Sequence, residues 1–505
     1  MASSIFIRGA RLVPVGTPTP DQPLDIKISD GIVAEVGTGL RPDPDERVLD
    51  AAGRWAIPGL WDAHVHLNGW AQTRAKIDVS GTSSAADVTR IVGDHVASLP
   101  APWSGGAIIG HGFRPATWPA PPTVAELDAV SGAHPVILGS GDIHTGWVNS
   151  KALALLGIPH RNGPLLESEW FDLQPAVARL TAAGGDGDSL VRSAVADAAA
   201  TGVVGIVDFE MSAGYLDWPA RFENRIDHLR VRPVTYADRL DEVIAAGLST
   251  GDCFPIGDGL LTMGPLKIFS DGSLNARTAF CCEPYADAHA LESPRGEQIY
   301  SLVELQELLA RGHRHGFEIA LHAIGDAAVD QALSAFEATG SRGSIEHAQL
   351  IRLADVNRMR ELGIRASVQP AHLLDDRDVT AQCWPDRADR CFALRSMLDG
   401  GVELALGSDA PVSALDPWLA MAAAVHRGTG DADPWNPDES LTAADVLAAS
   451  TDRQTTIAVG SRGDVVLLDD NPLRPTASSA DTAHLLQNIG VAATVMAGRV
   501  THLAM

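Results

Sequence analysis

The chain is short of positive charge and, within that, of lysine. Its 505 residues carry 38 Lys and Arg against 64 Asp and Glu, a net charge of −26. Such a surface repels phosphate backbones and speaks against nucleic acid as a partner. Only Lys27, Lys76, Lys151 and Lys267 are lysines. Arginine is the default base here, so a lysine set among apolar residues needs a reason. Cysteine is scarce too. Cys253, Cys281, Cys282, Cys383 and Cys391 make an odd count without regular spacing, which argues against a disulfide framework. The adjacent Cys281-Cys282 pair is a poor ligand set for one ion, so reduced thiols are the expectation. No run of about eighteen apolar residues occurs, so no membrane-spanning helix is expected. The start, Met1-Ala-Ser-Ser-Ile-Phe-Ile-Arg8, lacks the basic opening and long apolar core of a signal peptide, which points to a cytoplasmic location.

What is present is enough apolar sequence, 45% of the chain, for a large buried core. Both ends share one grammar of short alternating strands. Ser4-Ile-Phe-Ile-Arg8, Leu24-Asp-Ile-Lys-Ile28 and Gly31-Ile-Val-Ala-Glu-Val-Gly37 stand at one end; Asp464-Val-Val-Leu-Leu-Asp469 and Gly490 to Val500 stand at the other. Residues 1–56 and 455–505 are therefore expected to form one small β-sandwich, with two unrelated edge hairpins as the alternative. Between them, over 57–454, buried strands alternate with helices, the pattern of a parallel α/β domain. Eight strands can be counted: Ile57 to His66, Thr201 to Glu210, Val231 to Tyr236, Gly264 to Asp271, Glu318 to His322, Gly343 to His347, Arg365 to Gln369 and Val402 to Asp409. Eight fits a (β/α)8 TIM barrel. Residues 68–200 are too long for one barrel connection and carry strands of their own, so they read as an insertion after the first strand, over the barrel mouth.

The stretch Pro58-Gly-Leu-Trp-Asp-Ala-His-Val-His-Leu67 reads as a buried strand. Alternation puts His64 and His66 on one face, where two imidazoles can grip one metal ion or can simply be core histidines. Further polar groups recur at the ends of other strands: Lys267, His322, His347 and Asp409. A barrel brings strand ends from distant sequence onto one rim. Each group has an innocent reading alone, such as a core histidine, a buried ion pair at Lys267 or a helix cap at Asp409. Six together are a constellation.

These stretches resemble the amidohydrolase superfamily of metal-dependent hydrolases, and within it the YtcJ-like group that includes N-substituted formamide deformylase. The matching segments are Pro58 to His66, Gly141 to Leu153, Lys267 to Ala279, His322 to Ala328, Ser344 to Gln349, Ser367 to His372 and Gly407 to Val412. The family's Asp-Gly-His is Asp142-Ile143-His144 here, a departure that touches substrate contacts rather than metals. The resemblance implies that His64, His66 and Asp409 hold one divalent ion, that His322 and His347 hold a second, and that Lys267, carboxylated by carbon dioxide, bridges them. A carbamate offers two anionic oxygens where an ammonium would repel two cations. Zinc suits imidazole and carboxylate ligands, with manganese, iron or nickel as alternatives. The implied reaction is hydrolysis of an amide-type C–N bond, with Asp409 carrying a proton to the leaving nitrogen. Hydrolysis of an ester, lactone or carbamate on the same centre is the alternative, and a catalytically silent binding relative is a third reading.

His144 is a candidate donor to the oxyanion or substrate, or else a hydrogen-bonded loop histidine. Asp271 and Arg277 follow the Lys267 strand and either orient substrate or form a structural salt bridge. Gln369 and His372 are further substrate-contact candidates. Trp147 either lines the pocket or packs the insertion. A small-molecule substrate is expected, and a homodimer is implied by the resemblance alone.

Overall fold

A computed structural model describes residues 4–505 except 17–19, 21, 75, 100–105, 114, 116–117, 119, 141–144, 167, 174–175, 178–179, 181–186, 292 and 431. The chain forms two compact units, one of Met1–Leu67 with Val195–Met505 and one of Asn68–Ala194.

In the larger unit both chain ends meet in one eight-stranded sheet. Its order runs Arg499–Leu503, Val491–Met496, Val465–Leu468, Trp55–Pro58, Ile5–Leu12, Leu24–Ser29 and Ile32–Gly37, with Arg47–Asp50 also pairing Ile5–Leu12. The strand Ile5–Leu12 does double duty. Its first half pairs Arg47–Asp50, its last two residues pair Trp55 and Ala56, and an irregularity between Ile7 and Ala10 separates the halves. Alternation buries Ile5, Ile7, Ile26, Ile28, Val465 and Leu467 in one cluster under this sheet.

The rest of this unit is parallel sheet and helix. Leu60–Val65, Val203–Asp208 and Arg230–Pro233 form one parallel arc. Thr235–Tyr236, Leu266–Phe269, Ile319–Ala323, Gly343–His347, Arg365–Val368 and Leu404–Leu406 form a second, in sequence order. A single residue, Val234, separates the two arcs along the chain, and its N–H donates to Asp208 O at 3.0 Å. At the other end Val65 bridges Ala410 in parallel, and the Asp409 N–H donates to His64 O at 2.7 Å. Strands buried on both faces read as continuous apolar runs, as Val203–Asp208 and Leu404–Leu406 nearly do. Helices between them carry their own start signals; Ser301 and Glu304, for example, form a capping box on Leu302–Arg314.

One strand differs from expectation. Ile57 to His66 is not a single strand. Trp55–Pro58 joins the terminal sheet antiparallel to Val465–Leu468, and Leu60–Val65 joins the parallel arc. Gly59 is the break. A Cβ there would lie 2.4 Å from Val204 Cγ2, so only glycine lets the chain cross this close to the neighbouring strand.

The second unit has a five-stranded sheet ordered Leu165–Leu166, Thr145–Val148, Val136–Ser140, Ile108–Phe113 and Ile77–Asp78. The helices Ala85–Ser98 and Val124–Ser131 pack on it through Val88, Val92 and Leu127, around Phe113, Leu138 and Trp147. The helix Gly187–Ala200 starts in this unit and ends in the larger one, so the boundary falls at 194–195 inside a helix rather than at residue 200.

Candidate metal centre

The strand ends of the larger unit surround a cavity of about 430 Å³. His64, His66, Lys267, His322, His347 and Asp409 all line it, beside apolar walls from Phe269, Leu274, Ile324 and Val412. The backbone at two of these positions is strained. Asp409 has φ of 53° and His347 of 74°, left-handed values that side chains with a Cβ seldom adopt. The approach of the Asp409 strand to His64 is also tight. A Cβ on Gly407 would lie 2.6 Å from His64 N.

His64, His66 and Asp409 can offer ligand atoms that all lie within 4.8 Å of one another. His64 Nε2 is 3.5 Å and His66 Nε2 is 3.4 Å from Asp409 Oδ1. His322 and His347 meet edge to face with ring centroids 4.6 Å apart, and His347 is 5.1 Å from His64 by the same measure.

Each of three imidazoles has one nitrogen tied to an acceptor, which leaves the lone pair on the other. His64 Nδ1 donates to Glu346 Oε2 at 2.7 Å. His347 Nδ1 donates to Gln369 Oε1 at 2.7 Å. His322 Nε2 donates to Gly272 O at 3.0 Å, and its Nδ1 is buried with no hydrogen-bond partner among the described residues. A buried lone pair without a donor is costly unless something absent from a bare chain completes it. Neutral imidazole with its second nitrogen pinned in this way is the usual form of a metal-ligating histidine. The donor set therefore fits divalent metal.

Electrostatics keep these groups ready. Burial pushes the His322 imidazole down to about 3 and holds His64 and His347 below their ordinary value, so all three are neutral at neutral pH. Burial works to raise Asp409, but the surrounding imidazoles overcome it and hold the carboxyl well below the usual carboxylate range. Lys267 is 1% exposed, and its ammonium has no hydrogen bond or ion pair among the described residues. Its Nζ lies over Phe209 and Phe269, 4.7 and 5.0 Å from the ring centroids. Burial lowers it to about 8 against the attraction of Glu346 and Asp409.

The expected substrate contacts fare differently. His372 lines the cavity; its Nε2 is 4.0 Å from Asp409 Oδ2 and is buried without a hydrogen bond among the described residues. Gln369 is not a cavity wall but the acceptor behind His347. Asp271 is not among the residues that line the cavity. It is buried and accepts from the backbone N–H groups of Ile324, Gly325 and Phe280, and burial pushes its carboxyl up to about 7. Arg277 pairs with Asp287 at 3.3 Å and donates to Asn275 O, the structural salt bridge of the two readings. Trp147 is fully buried in the core of the Asn68–Ala194 unit and donates from Nε1 to Thr123 O. His144 lies outside the described residues.

Sequence reasoning missed Glu346, Phe209 and Asp62. Glu346 backs His64, and Phe209 stacks on it. Asp62, pushed up to about 6 by burial, accepts from the backbone N–H groups of His64 and Ser408 at 3.0 Å each. The one available signal was a carboxylate inside an apolar strand next to a histidine, Ser344-Ile-Glu-His347. It also missed Asp375 and Asp376 on the cavity wall.

A model of the amidohydrolase family matches residues 47–502. N-substituted formamide deformylase from Arthrobacter pascens is 28% identical over 500 residues, covering 89% of this chain and 90% of its own. Putative amidohydrolase YtcJ from Bacillus subtilis (strain 168) is 25% identical over 539 residues, covering 94% and 95%. Among solved structures, an uncharacterized metal-dependent hydrolase from Pyrococcus horikoshii OT3 has a TM-score of 0.73 at 23% identity, covering 94% of this chain and 99% of that one. That last likeness is one of fold.

Proposed function

The chain belongs to the amidohydrolase family, hydrolases of carbon–nitrogen bonds other than peptide bonds, and from that membership we propose a binuclear metal hydrolase acting on the amide bond of an N-acyl or N-formyl amine. The observation that carries the metal reading is the buried Nδ1 of His322, without a hydrogen-bond partner among the described residues, on a side chain that lines the same cavity as five other ligand-type side chains. The two parallel arcs are read as one (β/α)8 barrel, with the two chain ends as its small β-sandwich.

His64, His66 and Asp409 would hold one ion, and His322 and His347 a second. Zinc is the first choice for these ligands. Lys267 would bridge the two as a carbamate. Its neutral amine attacks carbon dioxide, an N–C bond forms and a proton is released. Bound there, the ions supply an activated water at neutral pH and polarise the scissile carbonyl. The chain's own residues do the rest. Asp409, held ionised, accepts a proton in the attack and passes it to the leaving nitrogen, which departs poorly as an anion. His372 Nε2, 4.0 Å from Asp409 Oδ2 and without a hydrogen bond among the described residues, would donate to the oxygen on which charge develops. Phe269, Leu274, Ile324 and Val412 favour an apolar acyl or amine group, and Asp375 and Asp376 at the wall disfavour a substrate carboxylate.

The test is hydrolysis by chelator-stripped and zinc-restored protein across N-formyl amines, N-acyl amines, cyclic amides and simple esters. Activity on the acyl amines should vanish on stripping and return with zinc and bicarbonate. Full activity in protein freed of metal would overturn the reading, and activity confined to esters would replace the amide by an ester bond.

A further inference from the structure

Behind the six cavity side chains stands a second layer whose charge is unequal. Glu346 is 1% exposed. One carboxylate oxygen accepts from His64 Nδ1 and the other from the Ser344 hydroxyl. No arginine or lysine pairs with it among the described residues; His64 is its one ion-pair partner. Gln369 stands in the matching place behind His347 but is neutral. Its orientation is fixed, because its Nε2 donates to Ser367 O at 3.3 Å while Oε1 accepts from His347. His322 is backed by a backbone carbonyl, Gly272 O. Asp271 Oδ1 lies 3.4 Å from His322 Nε2, but its oxygens are held by three backbone N–H groups, and that Nε2 is directed at Gly272 O.

We propose that this asymmetry sets the order of metal uptake: the Glu346 carboxylate makes His64, His66 and Asp409 the tight site, which fills first, and neutral Gln369 leaves His322 and His347 as the weaker site, which fills second. The inference rests on the metal reading above. A buried carboxylate that no arginine or lysine pairs with is unfavourable, and Lys267 attracts Glu346 only from beyond ion-pair distance. An ion on Nε2 of His64 supplies the missing positive charge through one ring. The carboxylate in turn makes that nitrogen a better donor, as carboxylate–histidine–metal arrangements do. Asp409 adds a second negative charge to the same site. Asp271, the carboxylate beside His322, is taken up by three backbone N–H groups, and the His322 and His347 site would depend on a carbamate that Lys267 carries only after reacting with carbon dioxide.

Glu346→Gln isolates the charge. Its amide oxygen still accepts from His64 Nδ1, so the ring keeps its place. Gln369→Glu makes the converse change behind His347. Chelator-stripped full-length protein is titrated with Zn2+ against a competing indicator in bicarbonate buffer, with bound zinc counted after dialysis. The wild-type protein should take two ions in resolved steps. E346Q should weaken the first step by about 10–100-fold and leave the second nearly unchanged, and Q369E should tighten the second. Two steps of equal affinity in the wild type, or equal weakening of both steps in E346Q, would overturn the order of uptake and leave the binuclear reading standing. No zinc bound by the wild type would sink that reading itself. If E346Q does not fold, Q369E decides: an unchanged second step refutes the proposal.

Discussion

The ring of Phe209 lies flat on the imidazole of His64, with centroids 3.7 Å apart and planes 4° from parallel. The same ring carries Lys267 Nζ. Phe209 follows the strand Val203–Asp208, and its N–H donates to Val65 O at 2.7 Å, so the backbone that presents the histidine also presents its stacking partner. One apolar side chain thus stacks on one proposed ligand and covers the ammonium of another. Phe209→Ala should destabilise the apo protein by about 3–5 kcal/mol, as aromatic truncations in a packed core do. Phe209→Leu should recover part of that loss but not the flat contact, and its zinc affinity should stay below wild type. Urea unfolding and zinc titration measure the two effects. Unchanged zinc affinity in both variants would show that the stack does not hold His64.

Asp409 has two proposed duties, ligand and proton carrier, and Asp409→Asn separates them by leaving-group dependence. The variant keeps the side-chain shape and the backbone bond from the Asp409 N–H to His64 O. Turnover of alkyl amides should fall by about 10²–10⁴-fold, the range for losing a positioned acid or base. Amides of good leaving groups such as nitroanilines need less proton delivery and should lose less. An equal loss on both would assign Asp409 to metal binding alone. Thermal melting checks that the fold survives.

Lys267 predicts a pH dependence whose sign can be worked out. Burial lowers it from 10.5 to about 8. Between those values the unfolded chain holds a proton that the folded chain has released, so stability of the apo protein from this group rises with pH across the window and is lost as pH falls to about 8. The neutral amine that the proposed carboxylation requires grows over the lower part of the same range. At fixed dissolved carbon dioxide, carbamate formation should increase as pH rises through about 8 and then level off. The measurement is a carbon-13 resonance after exposure to labelled carbon dioxide. Lys267→Arg should lack it, and a signal of wild-type size in that variant would place the carboxylation elsewhere.

The residues legible in the sequence were those whose type is out of place in an apolar strand: His64, His66, Lys267, His322, His347 and Asp409. The break at Gly59 was not legible, because Ile57 to Leu67 is apolar almost throughout and periodicity carries no sign of the Val204 side chain that forbids a Cβ. Glu346 and Phe209 were hidden for a related reason. Their roles come from contact with His64, 282 positions from Glu346, and no local pattern encodes that pairing. Asp271 follows the Lys267 strand, a place that suggests the mouth, yet it is buried and does not line the cavity. The N–H groups that capture it come from Phe280, Ile324 and Gly325, on segments whose approach only the fold determines.

The cavity wall predicts which substrates are excluded. Asp375 and Asp376 stand in the first turn of the helix Leu373–Cys383 and face the same space as the ligands. Asp376 is held by Asn275 Nδ2 at 3.0 Å and Gln349 Nε2 at 2.8 Å. Asp375 is exposed and has no hydrogen bond or ion pair among the described residues. The nearby Arg277 is neutralised by Asp287, which leaves Lys267, on the floor, as the one lysine or arginine among the described lining residues. A substrate carboxylate near this wall would therefore meet like charge, with no arginine or lysine beside it there to compensate. N-acyl amines that are neutral or carry an ammonium should outperform acyl amino acids of the same shape by about an order of magnitude in kcat/KM at low salt, with the gap shrinking as salt screens the exposed carboxylate. Asp375→Asn should narrow the gap while leaving turnover of the neutral amide near wild type. If acyl amino acids prove the better substrates, a cation from outside these described lining residues must reach the site, and the wall does not set the preference.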